Sequence, residues 1–147
     1  MRLWHQYIIN YLPDKQLLGQ HREICALRGL GFGKKHSVVN YVFNHPYYYL
    51  YKFHLIVMKE MRKRNFFVEK KWYDARYRGK NIGIDNSDFT LKHKTKKIIY
   101  KEHDTCYLEE CLRNLNSKGV YLQVHKNSFL YKNLLLKNLV NYIEIID

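Results

Sequence analysis

The chain has little of what stabilises small secreted domains. Three cysteines, Cys25, Cys106 and Cys111, occur among 147 residues, and none belongs to a CxxC pair. This odd set argues against a disulfide framework or a cysteine zinc site and favours a reducing compartment. The amino terminus has no apolar run of the signal-peptide type, and lysines interrupt the apolar stretch 121–146. We therefore expect a cytoplasmic protein that does not enter a membrane.

Acidic residues are also scarce. Asp and Glu number 13 against 26 for Lys and Arg, which leaves a net charge of +13. A compact basic domain attracts polyanions, nucleic acid first among them. Fourteen tyrosines accompany the charge, and aromatic faces stack on bases while cations neutralise phosphates. An AT-rich source genome would also enrich Tyr and Lys, so composition nominates a nucleic-acid partner without establishing one.

Paired metal ligands are a third absence. The eight histidines form no HxxxH or HxH pair, and carboxylates are few near His5, His36 and His54. A metal-dependent nuclease would need such clusters. We predict no metal and no other cofactor.

The remaining pattern predicts one all-α domain over residues 1–147. Asp14 suits the N-cap of a first helix that stops at Gly29. A second helix is expected over about 48–65 and a third over about 105–118, each with apolar residues at helical spacing. No internal repeat and no convincing hairpin is present.

The first helix carries two charged neighbours, Arg22 and Glu23, beside a strip of small residues, Gly19 and Ala26. Small residues let another backbone approach, and the amino-terminal segment is the nearest candidate. An α-amine has a reference pKa of about 7.7–8.0, so it is partly a free base near neutrality and a ready nucleophile. A carboxylate can stabilise a cation and move protons, and an arginine can bind phosphate. The Met1 amine, Glu23 and Arg22 thus form a candidate site for attack on C1′ of a deoxyribose; the alternative is an ordinary surface ion pair.

Four motifs, in one order, resemble the phage endonuclease V-type pyrimidine dimer DNA glycosylases, which have AP lyase activity. They are L-x-D-x-x-L-x-x-x-x-R-E at Leu12, Asp14, Leu17, Arg22 and Glu23; a basic triplet at Lys34, Lys35 and His36; "LIVMKEMRKRNFF"; and Tyr77, Arg78, Gly79 and Ile82. The resemblance covers about residues 1–85, and residues 86–147 form a divergent, helical C-terminal part. The opening "MRLWH…LPDKQLLGQHRE" is closer still to a bacterial branch of that family.

The resemblance implies a fold and a mechanism. The fold is one compact all-α domain with the amino-terminal segment threaded between helices. The terminal amine forms a Schiff base with the sugar of the damaged nucleotide, Glu23 is essential for catalysis and Arg22 binds the DNA backbone. The DNA is kinked, a base is flipped out, and the strand is cleaved by β-elimination without a metal. Arg2 is too large for ordinary removal of Met1, so we predict that Met1 is retained and bears the nucleophile.

The predicted function is a DNA repair glycosylase with AP lyase activity that acts on damaged bases, pyrimidine dimers included, in duplex DNA as a monomer. The alternative is a non-catalytic, basic nucleic-acid-binding protein on the same fold. The family's carboxyl-terminal aromatic strip is missing, and Trp72, Tyr73 and Tyr77 are candidates to replace it. The residues predicted to contact DNA are Arg2, Gln20, Arg28, Lys34, Lys35, His36, Tyr77, Arg78 and Lys80.

Overall fold

Helices dominate the part of the chain that the computed structural model describes, residues 2–29, 39–86 and 97–147. The α-helices and strands are α1 (Asp14–Arg28), α2 (Tyr47–Lys63), α3 (Thr105–Ser117), β1 (Leu122–His125), α4 (Phe129–Leu136) and β2 (Ile143–Ile146). Short 3-10 helices lie at Gln6–Tyr11, Asn40–Asn44, Lys70–Tyr73 and Val140–Tyr142. Within these described ranges, no helix has the length and apolar character needed to cross a bilayer.

Helix α1 begins one residue earlier than its predicted cap implies. Pro13 occupies the N-cap position, and Asp14 is the first helical residue. The carboxylate of Asp14 accepts a hydrogen bond from Arg64 at 3.0 Å instead of capping the helix, so the predicted N-cap role is wrong. Gly29 ends the helix as predicted, and a Cβ there would lie only 3.2 Å from the Arg78 carbonyl oxygen. The glycine therefore permits a close approach between α1 and the segment after Asp74.

Helices α2 and α3 follow their predicted patterns. Helix α2 packs against α1 and buries the predicted face of Leu50, Phe53, Val57, Met58 and Met61. Helix α3 is capped by Asp104, whose Oδ1 accepts the Tyr107 N–H at 2.8 Å. The apolar periodicity and the cap residue together position α3 from local sequence alone.

Two strands depart from the all-α expectation. β1 and β2 pair in parallel, with Leu122 opposite Ile143 and Val124 opposite Ile145. Leu122 and Val124 are buried, whereas the alternate residues of β1 are exposed. Helix α4 supplies the crossover that parallel strands require. The fold is mainly helical with one small parallel sheet, so the all-α description is corrected to that extent.

The amino-terminal segment, residues 2–6, lies between α1 and α3. Its residues hydrogen-bond to Gln20 and Glu23 on the α1 side and to His103 and Tyr107 on the α3 side. Leu3, within the segment, is fully buried, and its side chain anchors the segment in the core. Its position determines which side chains surround the start of the chain.

Candidate functional site

On the α1 side of the amino-terminal segment, the Glu23 carboxylate contacts the backbone nitrogen of Arg2. The Arg2 N–H donates to Glu23 Oε2 at 3.3 Å. Glu23 is half-buried, and within residues 2–29, 39–86 and 97–147 it enters no ion pair. Arg22 is exposed on the adjoining face of the helix. Consecutive residues on an α-helix point about 100° apart, so the side chains of Arg22 and Glu23 point in different directions. Each side chain is therefore available for a separate role.

Gln20 fixes the segment against α1. Its Oε1 accepts the Trp4 N–H at 2.7 Å, and its Nε2 donates to the Arg2 carbonyl at 2.9 Å. The same Nε2 lies 3.5 Å from Glu23 Oε2. Because a backbone N–H can only donate, the amide orientation is determined, and the side chain is only 1% exposed. Gln20 is thus a buried clamp on the segment, which argues against its predicted contact with DNA.

The small-residue strip has a different place from the one expected. A Cβ built at Gly19 would meet only the Arg22 guanidinium, at 3.8 Å, an ordinary contact. The amino-terminal segment instead approaches α1 through Gln20 and Glu23. The predicted proximity of the segment to α1 is present, but Gly19 does not mediate it.

On the α3 side, the contacts come from residues about a hundred positions along the chain. The Tyr107 hydroxyl donates to the Leu3 carbonyl, and the Gln6 N–H donates to His103 Nδ1 at 3.1 Å. The Gln6 side chain adds two bonds, from Ile99 N–H at 3.0 Å and to the Lys97 carbonyl at 2.7 Å. Side chains on the α1 side and on the α3 side therefore both hold the segment through hydrogen bonds to its backbone.

The Arg2 side chain also turns toward α3. Its guanidinium carbon lies 5.8 Å from the Trp4 ring centroid and 5.9 Å from that of Tyr107. Glu110 lies 3.7 Å away, and the Arg2 side chain is only 17% exposed. Stacking and this weak ion pair hold the Arg2 side chain against α3, although its Nη1 is buried without a hydrogen-bond partner among the described residues, and its predicted contact with nucleic acid stays a prediction.

Arg28 is interior, which revises its predicted DNA contact. The residue is 0% exposed, and its five N–H groups all have partners. They donate to the Tyr47 hydroxyl, His54 Nδ1 and the carbonyls of Trp72, Asp74 and Tyr77, at 2.8–2.9 Å. Arg28 thus cross-links α1, α2 and the segment that follows α2, and no donor remains for a phosphate.

Tyr77, Arg78 and Lys80, three further predicted DNA contacts, differ in their exposure to solvent. Tyr77 is buried and packs edge-on against Trp72, with ring centroids 4.8 Å apart. The Arg78 guanidinium lies 3.7 Å from the Tyr47 ring centroid and pairs with Asp85 at 3.2 Å. Only Lys80 is exposed in the manner its predicted contact requires.

Four predicted site residues lie outside the described residues. They are Met1, Lys34, Lys35 and His36. Their predicted roles stay predictions.

One group among the described residues could offer metal ligands: His21, Cys25 and His54, whose ligand atoms lie within 4.8 Å of one another. His54 Nδ1 faces Arg28, which can only donate, so His54 carries its proton on Nε2 and donates to His21 Nδ1 at 2.9 Å. Ligation through Nε2 would displace that proton beside a guanidinium. Burial raises the pKa of the Cys25 thiol to about 12 and lowers the pKa of His54 well below its usual range. The arrangement favours a hydrogen-bonded core over a metal centre.

Sequence reasoning missed the α3 side of the site, Tyr107, His103 and Tyr41. No local pattern marks them, because their partners are 62–104 residues away in the sequence. Gln20 was found, but as a surface residue, since spacing does not distinguish a buried amide from an exposed one.

Fold and site together define a class: a small, basic, mainly helical protein whose first residues are clamped beside a half-buried carboxylate. Residues 1–74 match the family model for pyrimidine dimer DNA glycosylase, which is half of the chain. The chain belongs to that family. No curated protein and no solved structure matches it. The matched residues contain α1 and α2, and α3, α4 and both strands follow them.

Proposed function

We propose that the protein is a DNA glycosylase with AP lyase activity, whose nucleophile is the α-amine of Met1. The observation that carries the proposal is the contact between the Arg2 N–H and Glu23 Oε2 at 3.3 Å. Three covalent bonds separate the Met1 nitrogen from the Arg2 nitrogen, so bond lengths keep the two within about 4 Å. An amine so restrained is within reach of the Glu23 carboxylate, directly or through one water.

The proposed reaction begins at the sugar of a damaged nucleotide. The amine attacks C1′, the C1′–N bond breaks, and the base leaves with the bonding electrons and a proton. The sugar ring opens at O4′, which takes up a proton, and a cationic imine joins Met1 to C1′. Removal of a C2′ proton expels the 3′-phosphate by β-elimination, and hydrolysis of the imine restores the amine.

Glu23 is suited to two parts of this sequence. As a carboxylate it stabilises the positive charge that develops on the imine, and it can take a proton from the attacking amine and return it to O4′. Neither role competes with an ion pair among the described residues, since Glu23 has none there. Exposed Arg22, on the adjoining helix face, is placed to contact a DNA phosphate.

The substrate class follows from family membership and charge. Pyrimidine dimers in duplex DNA are the proposed lesion, and the net charge of +13 favours binding to the phosphate backbone. Ultraviolet-irradiated duplex should be nicked faster than oxidised or methylated duplex of the same sequence. Equal nicking of the three duplexes would contradict the proposed specificity for pyrimidine dimers but not the proposed lyase reaction.

The decisive variants act on the carboxylate and on the amine. With an abasic duplex as substrate, Glu23→Gln should slow strand cleavage by about 10²–10⁴-fold, because the general base is lost. Glu144→Gln, the same substitution at an exposed residue of β2, is the matched control and should cleave normally. Acetylation of the terminal amine should abolish cleavage.

Two results would contradict the proposal. Normal cleavage by Glu23→Gln would remove the carboxylate from the mechanism, and normal cleavage after complete acetylation would remove the amine. Intact mass of the untreated protein tests the retention of Met1. If wild-type protein binds abasic duplex without cleaving it, the non-catalytic binding module becomes the better account.

A further inference from the structure

The α3 side of the amino-terminal segment contains a hydrogen-bond chain with one determined direction. It starts at the Gln6 N–H, which donates to His103 Nδ1 at 3.1 Å. A backbone N–H cannot accept, so Nδ1 is unprotonated, and a neutral His103 carries its hydrogen on Nε2. That Nε2 lies 2.7 Å from the Tyr41 hydroxyl, which therefore accepts. Burial lowers the pKa of His103 to about 3, so the neutral form persists at physiological pH.

Tyr107 is a second anchor on the same side, and its ring packs against His103 and Tyr41. The His103 ring stacks on the Tyr107 ring with centroids 5.1 Å apart, and the Tyr41 ring meets the Tyr107 ring edge-on at 6.3 Å. The Tyr107 hydroxyl donates to the Leu3 carbonyl. Burial raises the pKa of both phenols far above neutrality, so both hydroxyls keep their hydrogens. The two anchors thus hold Gln6 and Leu3, which lie on the same short segment.

The two sides of the segment alternate along the backbone. Arg2 and Trp4 bond to Gln20 of α1, whereas Leu3, between them, bonds to Tyr107 of α3. Successive peptide groups of an extended chain point to opposite sides, so each side restrains groups that the other cannot reach. Loss of the Tyr107 bond would leave the Leu3 carbonyl without its α3 anchor, next to Arg2, whose N–H donates to Glu23.

We propose that Tyr107, supported by Tyr41 and His103, is a positioning residue that holds the terminal amine in its reactive place. The inference rests on the proposed function. Tyr107 and His103 both lie beyond the family match of residues 1–74, so the divergent part of the chain supplies half of the amine's support. None of the three side chains touches the reacting atoms in this scheme; they act through the backbone of residues 3–6.

The test separates positioning from folding and from DNA binding. Tyr107→Phe removes one oxygen, and kcat for cleavage of an abasic duplex should fall about 10- to 100-fold, the order that a displacement of about 1 Å costs. KM should change less than about threefold, because phenylalanine keeps the ring beneath Arg2 and Tyr107 itself is not a predicted DNA contact. Tyr41→Phe, which removes the acceptor of the His103 Nε2–H and keeps the ring against Tyr107, should lower kcat less. Tyr142→Phe is the matched control: its hydroxyl bonds to Glu109 of the same helix, away from residues 2–6, and kcat should be unchanged.

Each result supports or overturns the inference. Wild-type kcat in Tyr107→Phe, or an equal loss in Tyr142→Phe, overturns it while the proposed chemistry stands. A rise in KM at unchanged kcat overturns it as well, since that marks a DNA contact. If Tyr107→Phe does not fold, an unchanged kcat in Tyr41→Phe overturns the inference and a reduced kcat supports it. If wild-type protein forms no imine with abasic DNA, the proposed function fails and this inference with it.

Discussion

The two faces of the amino-terminal segment differ in charge and in access to solvent. The α1 face presents Glu23, a half-buried carboxylate, with exposed Arg22 close by. The α3 face presents the neutral side chains of His103, Tyr41 and Tyr107; His103 bonds to Tyr41, and Tyr107 bonds to the Leu3 carbonyl. The charged side chains thus lie on the more exposed α1 face, and the α3 side chains that hold the backbone are uncharged and need no counter-ion when buried.

The same division separates two arginines of α1. Arg22 is exposed, whereas Arg28, six residues later, is fully buried with all its donors used. Loss of the Arg28 side chain would leave several buried acceptors without a donor, so Arg28 stabilises the fold, whereas Arg22 is exposed to solvent. Residue type alone would give both the same role.

The largest predicted effect tests the neutrality of the buried histidines. Burial lowers the pKa of His5 to about 4 and of His103 to about 3, and it lowers that of His54 well below its usual range. In the unfolded chain all three regain a pKa near 6.5, so between pH 6.5 and about 4 the unfolded state binds more protons. Stability should therefore fall with falling pH, by about 3–4 kcal/mol per pH unit near pH 5 from these three groups.

Urea unfolding at pH 7, 6 and 5 measures this slope. His103→Gln should reduce the slope by about a third, whereas His125→Gln, at an exposed position, should leave it unchanged. A free energy of unfolding that is flat from pH 7 to pH 5 would contradict a neutral α3 face.

The next effect concerns the uncharged clamp on the other face. Gln20→Leu leaves the Trp4 N–H and the Arg2 carbonyl without their partner, at a cost of about 1–3 kcal/mol for each group in unfolding free energy. Cleavage of abasic DNA should also slow, because the segment loses its α1 anchor. Gln16→Leu, on the same helix, is the control for loss of a glutamine. Chemical denaturation and single-turnover kinetics check both; equal stability of the two variants would contradict the clamp.

A smaller effect is expected at the exposed arginine. Arg22→Gln should weaken binding to duplex DNA about three- to tenfold at low salt and reduce the slope of log K against log salt by about one. Stability should be unchanged, since Arg22 is exposed. Fluorescence anisotropy over a salt series measures both quantities. An unchanged slope would show that Arg22 makes no phosphate contact.

The smallest effect is expected at the rim of the α3 face. Glu110 lies 3.7 Å from Arg2 but is 58% exposed, and such pairs contribute little. Glu110→Gln should change thermal stability by less than about 0.5 kcal/mol. A larger loss of stability would show that an ion pair stabilises the α3 face, and the two faces would then not differ in their dependence on charge.

The sequence predicts the helices well because their signals are local. The Asp104 cap and the apolar spacing of α2 and α3 were sufficient. The parallel pair of β1 and β2 was missed, since four-residue strands within an apolar stretch show no clear period, and their pairing depends on a crossover.

The candidate site likewise has parts that local sequence predicts and parts that depend on distant residues. Glu23 and its nearness to the amino terminus were predicted from spacing and from resemblance, and the contact with the Arg2 nitrogen agrees with that prediction. The burial of Arg28 and of Gln20 was not predicted, because it depends on partners that only the folded chain brings together. The Tyr107 contact joins residues 104 positions apart and has no local signal at all.

The central claim is that the reactive group is the amine of Met1. Incubation with an abasic duplex in the presence of borohydride should reduce the imine to a stable covalent adduct. Proteolysis and peptide mapping by mass spectrometry should then locate the modified nitrogen on the amino-terminal peptide, at Met1. A DNA adduct on a lysine side chain, or cleavage without any trapped adduct, would contradict the account.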